Sequence, residues 1–360
     1  MISPIKLRDM KALAAYQTEL MKKPRLRYIY FELTDQCNLK CLHCGSRCEP
    51  GNSTMLRFSA VRKTLQSISN QYRPQDVMVC LTGGEPFLHP ELSRIVSLAH
   101  TMGFPVGITT NGTLIDDQQA KSLQQSGLDT VAISIDGTRE IHDQFRNCPG
   151  SFDRAMRGAR ALKRYGIEPQ VITVANKSNL HDLQCLAEVL VKEDFYSWRI
   201  TNIDPIGRAI DHRELMLDND EMATLLNFIR DMRFSPNIDM EVTYGCSHFL
   251  TYEYEREVRD FYFQCGAGLM VGSVMANGDI GACLDIERRR DLIQGNIDQD
   301  DFMAVWNERF KAFRVNRADE SYFCADCEYK EVCRGDSAHT WDYEHQEPLY
   351  CVEKGGIQRV

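Results

Sequence analysis

The chain has 360 residues, a formal net charge of −9 and 43% hydrophobic residues. That length is enough for a barrel-sized core and a smaller second domain. The negative charge argues against nucleic acid as the main partner. No apolar run is long enough to span a bilayer, and the first residues lack an uninterrupted apolar stretch, so we expect neither a transmembrane segment nor a secretory signal.

The 14 cysteines are the unusual part of the composition. Many of them fall in short C-x2-C and C-x3-C-x2-C spacings, which are typical of metal ligation in a reducing compartment and not of a small disulfide-rich secreted protein. We therefore expect a cytoplasmic protein that binds metal. Cys80 and Cys185 lie among apolar neighbours and are predicted to be buried as small hydrophobic side chains.

Residues 1–27 are predicted to form a basic helix. They contain seven Lys or Arg residues against two acidic ones, with apolar residues at helical spacing. We expect this helix to cap the bottom of the main domain. Contact with an acidic partner or a membrane surface is the alternative.

Residues 28–235 alternate between strand-like and helix-like segments, which predicts βαβ units and a parallel sheet. The predicted strands are 28–34, 77–82, 105–110, 129–135, 169–175 and 197–203. The predicted helices are 57–71, 90–103, 115–126, 151–165, 179–192 and 218–233. Six units are fewer than the eight of a closed TIM barrel, so we predict an α/β fold, a partial (β/α)6 TIM-like barrel. Residues 236–360, rich in Cys and Gly, are predicted to form a second, metal-stapled domain.

The loop after the first strand contains Cys37, Cys41 and Cys44 in a C-x3-C-x2-C run. Three thiolates at this spacing can bind three corners of one cubane and leave the fourth iron without a protein ligand. A zinc site usually takes four ligands in two close pairs, although a structural zinc fragment or a coincidence stays the alternative for the run alone. The run and its preceding strand resemble the cluster loop of the radical S-adenosylmethionine (SAM) enzymes.

The carboxyl ends of the next strands carry further motifs of this kind. The second strand ends in Gly83-Gly84-Glu85-Pro86, where two glycines allow close backbone approach to a ligand and Glu85 can accept a hydrogen bond from an ammonium group. The tetrapeptide alone could be only a turn. In its position, one βα unit after the cysteine loop, it resembles the radical SAM segment that holds the amino group of SAM.

The same resemblance extends over residues 28–203 and assigns further SAM contacts. It implies that Ser134, and with less support Asn111 and Asp136, help to bind the ribose and carboxylate of SAM. It places His43 near the adenine. Arg146 would pair with the SAM carboxylate, with a solvated surface arginine as the alternative.

The cysteines of the second half resemble the SPASM domain, a C-terminal extension of radical SAM peptide and protein maturases that houses auxiliary iron–sulfur clusters. The matching residues are Cys265, Cys283, Cys324, Cys327, Cys333 and Cys351. A zinc ribbon is the alternative for the last four. The pattern departs at Ser337, where the family has a cysteine that ligates the nearer auxiliary cluster. We therefore expect one or two auxiliary clusters. If the nearer one is present, Cys246 would be its upstream cysteine ligand, and its remaining iron would be open or bound by an oxygen ligand such as Asp336.

The resemblance implies reductive cleavage of SAM by a [4Fe-4S] cluster on Cys37, Cys41 and Cys44, followed by hydrogen abstraction from the substrate. An electron donor of the flavodoxin or ferredoxin type would supply the electron. The leading hypothesis is modification of a ribosomally synthesised peptide, and the main alternative is modification of tetrapyrrole side chains in the haem pathway. A non-catalytic iron–sulfur protein is the alternative from another class. Sulfatase maturation fits less well, because Leu284 follows Cys283 where that group has an acid, and Asp285 comes one place later.

Four polar residues near the sixth strand face the end of the barrel where a substrate would bind, although loop salt bridges would explain them equally well. These are Arg199, Asn202, Asp204 and Arg208.

Overall fold

A ten-stranded sheet forms the centre of the protein, as seen in a computed structural model that describes residues 4–245, 247–354 and 356–357. Its first six strands are β1 (Tyr28–Glu32), β2 (Met78–Thr82), β3 (Val106–Thr110), β4 (Thr130–Ser134), β5 (Pro169–Ala175) and β6 (Ser197–Asn202). They lie side by side in chain order and every adjacent pair is parallel. The predicted α/β partial barrel is confirmed.

The helices between these strands also follow the prediction, with one addition. They are α2 (Phe58–Ser69), α3 (Leu92–Thr101), α4 (Asp117–Gln125), α5 (Arg139–Phe145), α6 (Ser151–Arg164), α7 (Leu183–Lys192) and α8 (Asn219–Arg233), after the N-terminal α1 (Pro4–Lys22). Helix α5 was not predicted, because seven residues are too few to show a helical repeat.

Local sequence explains where several of these elements begin and which way they face. The side chain of Asp116 accepts a hydrogen bond from Gln119 N at the start of α4, and Asp218 forms a capping box with Glu221 at the start of α8. In β5 the exposure alternates strictly, so Val171 and Thr173 are buried under the helices while Ile172 faces the barrel interior.

The second half of the chain extends the same sheet, which the sequence did not indicate. β7 (Glu241–Tyr244) pairs parallel to β6, and β8 (Val271–Val274) pairs parallel to β1 at the other side. β9 (Asp279–Gly281) and β10 (Gly295–Asn296) continue antiparallel from β8. Strands β7 and β10 are the two sheet ends and do not pair, so the barrel is open.

The remaining C-terminal elements are short, as expected for a cysteine-rich domain. They are α9 (Thr251–Tyr254), α10 (Phe302–Glu308), α11 (Arg317–Glu320), α12 (Lys330–Cys333), β11 (Trp341–Asp342), β12 (Glu347–Pro348), β13 (Tyr350–Cys351) and β14 (Gly356–Ile357). One continuous hydrophobic core runs from the barrel into this part. The predicted boundary between residues 235 and 236 stays a prediction.

Helix α1 does not lie where we expected it. The Met10 side chain packs in a cluster with Phe249, Phe263 and Val332, all from the C-terminal part, and Arg334 Nη2 donates to Ala14 O at 2.6 Å. The expectation that this helix caps the bottom of the main domain was therefore wrong. Within the described residues, none of the helices combines the length and apolar character that crossing a membrane requires.

Candidate active site

The carboxyl ends of the parallel strands open into one cavity of about 420 Å³, which loops of the C-terminal part close from the other side. Eleven of the residues predicted for the site line it: Cys37, Cys41, His43, Cys44, Gly83, Gly84, Asn111, Ser134, Arg146, Cys265 and Cys283. Residues from both halves of the chain therefore meet at one place. Such convergence at the carboxyl ends of strands is the usual position of an active site in parallel α/β proteins.

The cysteine loop is held in place by the segment Gly207–Asp211. Arg208 is buried, and it donates from Nη1 to Cys41 O at 2.5 Å and from Nη2 to Cys48 O at 2.9 Å. Gly207 has φ +54°, and a Cβ there would overlap the carbonyl oxygen of Gly45. Arg208 thus supports the loop backbone. The sequence suggested a substrate contact for its side chain, but the side chain binds the loop instead.

The Gly83-Gly84 pair holds the end of β2 against the same loop. Gly84 N donates to Thr34 O at 2.6 Å, and Glu85 N donates to Gln36 O at 2.9 Å. A Cβ on Gly83 would overlap Thr34 O, and one on Gly84 would overlap Gln36 O. The two glycines therefore line the cavity and at the same time let two backbones approach each other.

Glu85 lies in a different place from the one expected. It is fully buried, and its Oε1 accepts from Thr110 Oγ1 at 2.7 Å while Oε2 accepts from Asn111 N at 2.9 Å. Burial raises its pKa to about 7. It is absent from the cavity lining. Glu85 therefore positions the end of β3, and the expected contact between its carboxylate and an ammonium group is not available in this arrangement.

Asn111 connects the end of β3 to the cysteine loop. Its Nδ2 donates to Asn38 Oδ1 at 2.9 Å and lies 3.9 Å from Cys37 Sγ, while its Oδ1 accepts from Thr113 N at 2.9 Å. Asn38 Nδ2 in turn donates to Thr113 Oγ1 at 2.8 Å. This network fixes the orientation of the first cysteine.

Arg146 is buried and paired within the protein. Its Nε donates to Asp136 Oδ2 at 2.5 Å, and its Nη1 lies 3.7 Å from Cys41 Sγ. Asp136 Oδ1 also accepts from Val174 N at 2.9 Å. The alternative of a solvated surface arginine is therefore wrong. Asp136, which does not line the cavity, is the partner of Arg146.

His43 stacks on Phe145, with ring centroids 4.1 Å apart and planes 6° from parallel. The residue is half-buried, and desolvation lowers the pKa of the ring to about 3, so the ring is neutral. Its Nδ1 is buried without a hydrogen-bond partner. A flat, neutral, partly unsatisfied ring on the cavity wall suits a planar heteroaromatic ligand such as adenine.

The three cysteine sulfurs of the loop have the donor set that an iron–sulfur cluster needs. Burial raises the pKa of Cys37 to about 12 and also raises that of Cys41, whereas hydrogen bonds from Cys48 lower the pKa of Cys44 to about 6. Leu39 N donates to Cys37 Sγ at 3.4 Å, and Cys48 N donates to Cys44 Sγ at 3.3 Å. With Arg146 on Cys41, each sulfur has a donor that would stabilise its thiolate.

The four C-terminal cysteines also converge. Cys324, Cys327, Cys333 and Cys351 line one small apolar pocket together with Phe249 and Tyr329. Across the part of the chain that the structure describes, no group of three His, Cys, Asp or Glu residues is arranged to hold a single ion. Four cysteines around one apolar pocket are the donor set that an auxiliary cluster needs, and the zinc ribbon stays the alternative.

The nearer auxiliary site differs from expectation. Cys265 and Cys283 line the main cavity, and Ala338 N donates to Cys265 Sγ at 3.3 Å. Cys246 lies outside the described residues. Asp336 Oδ2 is 2.6 Å from His248 Nδ1, and its Oδ1 accepts from Phe249 N at 2.8 Å. The carboxylate of Asp336 is therefore engaged within the protein, and the expectation that it ligates this cluster was wrong.

Sequence reasoning missed a buried chain of acids and histidines beside this site. Asp204 lies between His248, whose Nε2 is 2.8 Å from Oδ1, and His339, whose Nε2 is 3.0 Å from Oδ2. His339 lines the cavity. The sequence offered one signal, because His339 lies two residues after Ser337, where the family has a cysteine. No spacing rule, however, connects His339 with Asp204.

The remaining predicted residues have varied positions. Arg199 lines the cavity from inside the barrel, and Asn202 Nδ2 donates to Asp204 Oδ1 at 3.0 Å within the buried network. Cys80 is partly buried in the barrel interior, but Cys185 is exposed on α7, so its predicted burial was wrong. All 13 described cysteines are free of disulfide bonds.

Comparison with known families agrees with this geometry. The radical SAM superfamily model matches residues 31–190, and SPASM, described as an iron–sulfur cluster-binding domain, matches residues 265–328. The chain therefore contains a radical SAM domain. It also contains a SPASM domain. Both domains bind [4Fe-4S] clusters, and the chain is an enzyme. Cys333 and Cys351 lie beyond the matched SPASM segment.

Several characterised radical SAM proteins resemble the chain over most of its length. The AdoMet-dependent heme synthase of Oleidesulfovibrio alaskensis is 28% identical, over 91% of this chain and 87% of the relative. That of Methanosarcina barkeri is 27% identical, over 92% and 97%. The mycofactocin maturase MftC of Mycobacterium tuberculosis is 29% identical, over 85% and 76%.

Solved structures of radical SAM proteins share the fold. The anSMEcpe enzyme with bound AdoMet and a peptide aligns with a TM-score of 0.71 at 19% identity, covering 90% of this chain and 93% of that one. Streptococcus suis SuiB bound to S-adenosylmethionine aligns with a TM-score of 0.71 at 17% identity, covering 87% and 73%.

Proposed function

We propose that this radical SAM enzyme modifies the side chains of a tetrapyrrole of the haem pathway. The observation that carries the proposal is the extent of the likeness to two heme synthases, which spans nearly the whole of both proteins. The likeness to MftC covers less of that relative. Modification of a peptide, favoured by the MftC likeness, is the second candidate.

Arg199 supports a substrate with carboxylate groups. Its side chain projects from the middle of β6 into the barrel interior, and its guanidinium forms no hydrogen bond or ion pair with any described residue. An arginine in a cavity, without an acidic partner, is suited to bind a carboxylate from a ligand. Coproporphyrins carry such carboxylates on their propionate side chains.

We also propose roles for the residues toward SAM. Cys37, Cys41 and Cys44 would hold the SAM-binding cluster, and SAM cleavage there would supply a 5′-deoxyadenosyl radical. Gly83 and Gly84 would present backbone groups to the SAM amino group, and Ser134 would contact the ribose. His43 would lie on the adenine. An electron donor of the flavodoxin or ferredoxin type in a reducing cytoplasm would complete the system.

The substrate proposal can be tested with anaerobically reconstituted protein, dithionite and SAM. We expect iron-coproporphyrin III to raise 5′-deoxyadenosine formation several-fold and to change in mass, and its tetramethyl ester, which lacks the carboxylates, to do neither. Arg199→Met should weaken porphyrin binding, followed by Soret absorbance, at least tenfold, and Arg199→Lys less. If 5′-deoxyadenosine forms at the same rate with and without porphyrin, and the mass of the porphyrin does not change, a tetrapyrrole substrate is excluded. Peptide modification then remains as the function.

The cluster assignment has its own test. The Cys37→Ala/Cys41→Ala/Cys44→Ala variant should lose roughly four iron atoms and all 5′-deoxyadenosine formation while keeping the auxiliary clusters. The matched control is Cys185→Ala on the exposed face of α7, which should keep its full iron content. Equal iron content in the triple variant and the wild type would contradict the ligand assignment.

A further inference from the structure

The turn from Asp336 to His339 reaches the main cavity close to Cys265 and Cys283. Asp336 is occupied by His248 and Phe249 N, and Ser337 Oγ donates to the carbonyl oxygen of Ser247. Neither side chain is free to act as a ligand in the cavity. His339 is the residue of this turn that offers an imidazole to the cavity.

His339 is oriented as metal-binding histidines are. Its Nε2 lies 3.0 Å from Asp204 Oδ2, and Asp204 is itself held by His248 at 2.8 Å. A carboxylate on one ring nitrogen assigns the proton to that nitrogen and leaves the other with a lone pair. Nδ1 of His339 makes no hydrogen bond with any described residue, so it is available to a ligand in the cavity.

The two cysteines of the nearer auxiliary site line the same cavity as this imidazole. Ala338, the residue before His339, donates from its backbone N to Cys265 Sγ at 3.3 Å. Asp285, whose Oδ2 is 3.9 Å from Cys283 Sγ, also lines this cavity. The histidine and both cysteines therefore line one cavity, and the turn that carries the histidine contacts Cys265.

We propose that His339, through Nδ1, ligates the auxiliary iron–sulfur cluster at Cys265 and Cys283, in place of the cysteine that the family has at Ser337. The inference rests on the proposed auxiliary cluster, and not on the identity of the substrate. A neutral imidazole brings one negative charge fewer than a thiolate. Histidine ligation raises the reduction potential of [2Fe–2S] centres, and we expect the same direction here.

Pulsed EPR on protein labelled with 15N-histidine tests the proposal. The Cys37→Ala/Cys41→Ala/Cys44→Ala background, reduced without SAM, leaves only the auxiliary clusters, which should hold roughly eight iron atoms if both are cubanes. We expect a 15N coupling that is lost in His339→Ala and retained in the control His345→Ala, an exposed histidine on Asp342. His339→Cys should keep the iron and lower the reduction potential of one cluster.

Two results would overturn the inference. One is roughly eight iron atoms with no 15N coupling, which would show that both clusters have other ligands. The other is roughly four iron atoms in the background variant, because a single cluster would be the one at Cys324, Cys327, Cys333 and Cys351. Retention of that cluster in His339→Ala shows that the variant folds. The porphyrin assay is independent of both results and decides the substrate separately.

Discussion

Gly84 shows at the scale of one residue how a cofactor motif also depends on packing. Its backbone lies against Gln36, the residue before the first cluster cysteine, and leaves no room for a Cβ. From sequence, the glycines were expected to admit a ligand. The structure adds that they leave room for the backbone of the cysteine loop to pack against the end of β2, and this packing positions Cys37.

We expect Gly84→Ala to lower the free energy of unfolding by about 1–3 kcal/mol, because the new methyl group overlaps backbone that cannot move aside. Iron bound at the cysteine loop should fall as well. Gly51→Ala is the control, since a Cβ there meets nothing within 4 Å. Urea denaturation and iron counts measure both effects, and equal values for the two variants would refute this explanation.

Glu85 provides a prediction of pH dependence. Its folded-state pKa of about 7 lies above the ordinary value of 4.5, so the folded protein retains a proton that the unfolded chain has lost. The free energy of unfolding therefore falls as pH rises from about 4.5 to about 7, by about 3 kcal/mol.

Glu85→Gln cannot titrate, so its stability should lack this decline even if the variant is less stable throughout. Denaturation at several pH values between 4.5 and 7.5 gives the slopes. Exposed Glu308→Gln should follow the wild-type slope. Parallel curves for the wild type and Glu85→Gln would contradict the assigned burial effect.

At the scale of elements, the segment Gly207–Asp211 and the cysteine loop act as one unit. Arg208 supplies donors to the carbonyl oxygens of Cys41 and Cys48, and Arg208 N donates to Cys44 O at 2.9 Å. The loop is irregular, so its conformation depends on these contacts more than on internal hydrogen bonds.

Arg208→Met should therefore speed the loss of iron to a chelator and lower the free energy of unfolding by about 1–3 kcal/mol, since buried carbonyl oxygens lose their donors. Arg213→Met, in the adjacent exposed segment Arg213–Leu215, is the control and should behave like the wild type. Equal chelation rates in the two variants would show that the loop does not rely on Arg208.

At the scale of the whole molecule, the C-terminal half extends the sheet of the open barrel at both sides. β8 covers the open side of β1, and Lys63 of α2 donates to Ile297 O at 2.7 Å and Asp300 O at 2.8 Å. Without β8, β1 becomes an unpaired edge strand next to the cluster loop, which exposes the barrel to aggregation.

Residues 1–235 alone should therefore be sensitive to protease and prone to aggregate. A full chain cleaved at a protease site inserted after the exposed Pro236 is the control, because it keeps β8 and should remain folded. Size-exclusion chromatography and limited proteolysis compare the two. A monomeric, protease-resistant fragment 1–235 would show that the predicted domain boundary also marks an independently folding unit.

The sequence by itself determined the βα order, the partial barrel and the cysteine loop, because apolar periodicity and cysteine spacing are local properties of the chain. The six predicted strands match the observed ones to within two residues at each end. Helix α5 and the packing of α1 on the C-terminal part were missed, since neither depends on a strong local pattern.

The tertiary structure alone decided which residues are partners. It paired Arg146 with Asp136, turned Glu85 away from the cavity, and brought Asp204 to His339 from 135 positions away in the chain. These pairings come from the order of strands around the barrel and from the return of the C-terminal strands to β1. Partners such as Asp204 and His339 have no spacing rule, because only the folded arrangement of the elements defines the distance between them.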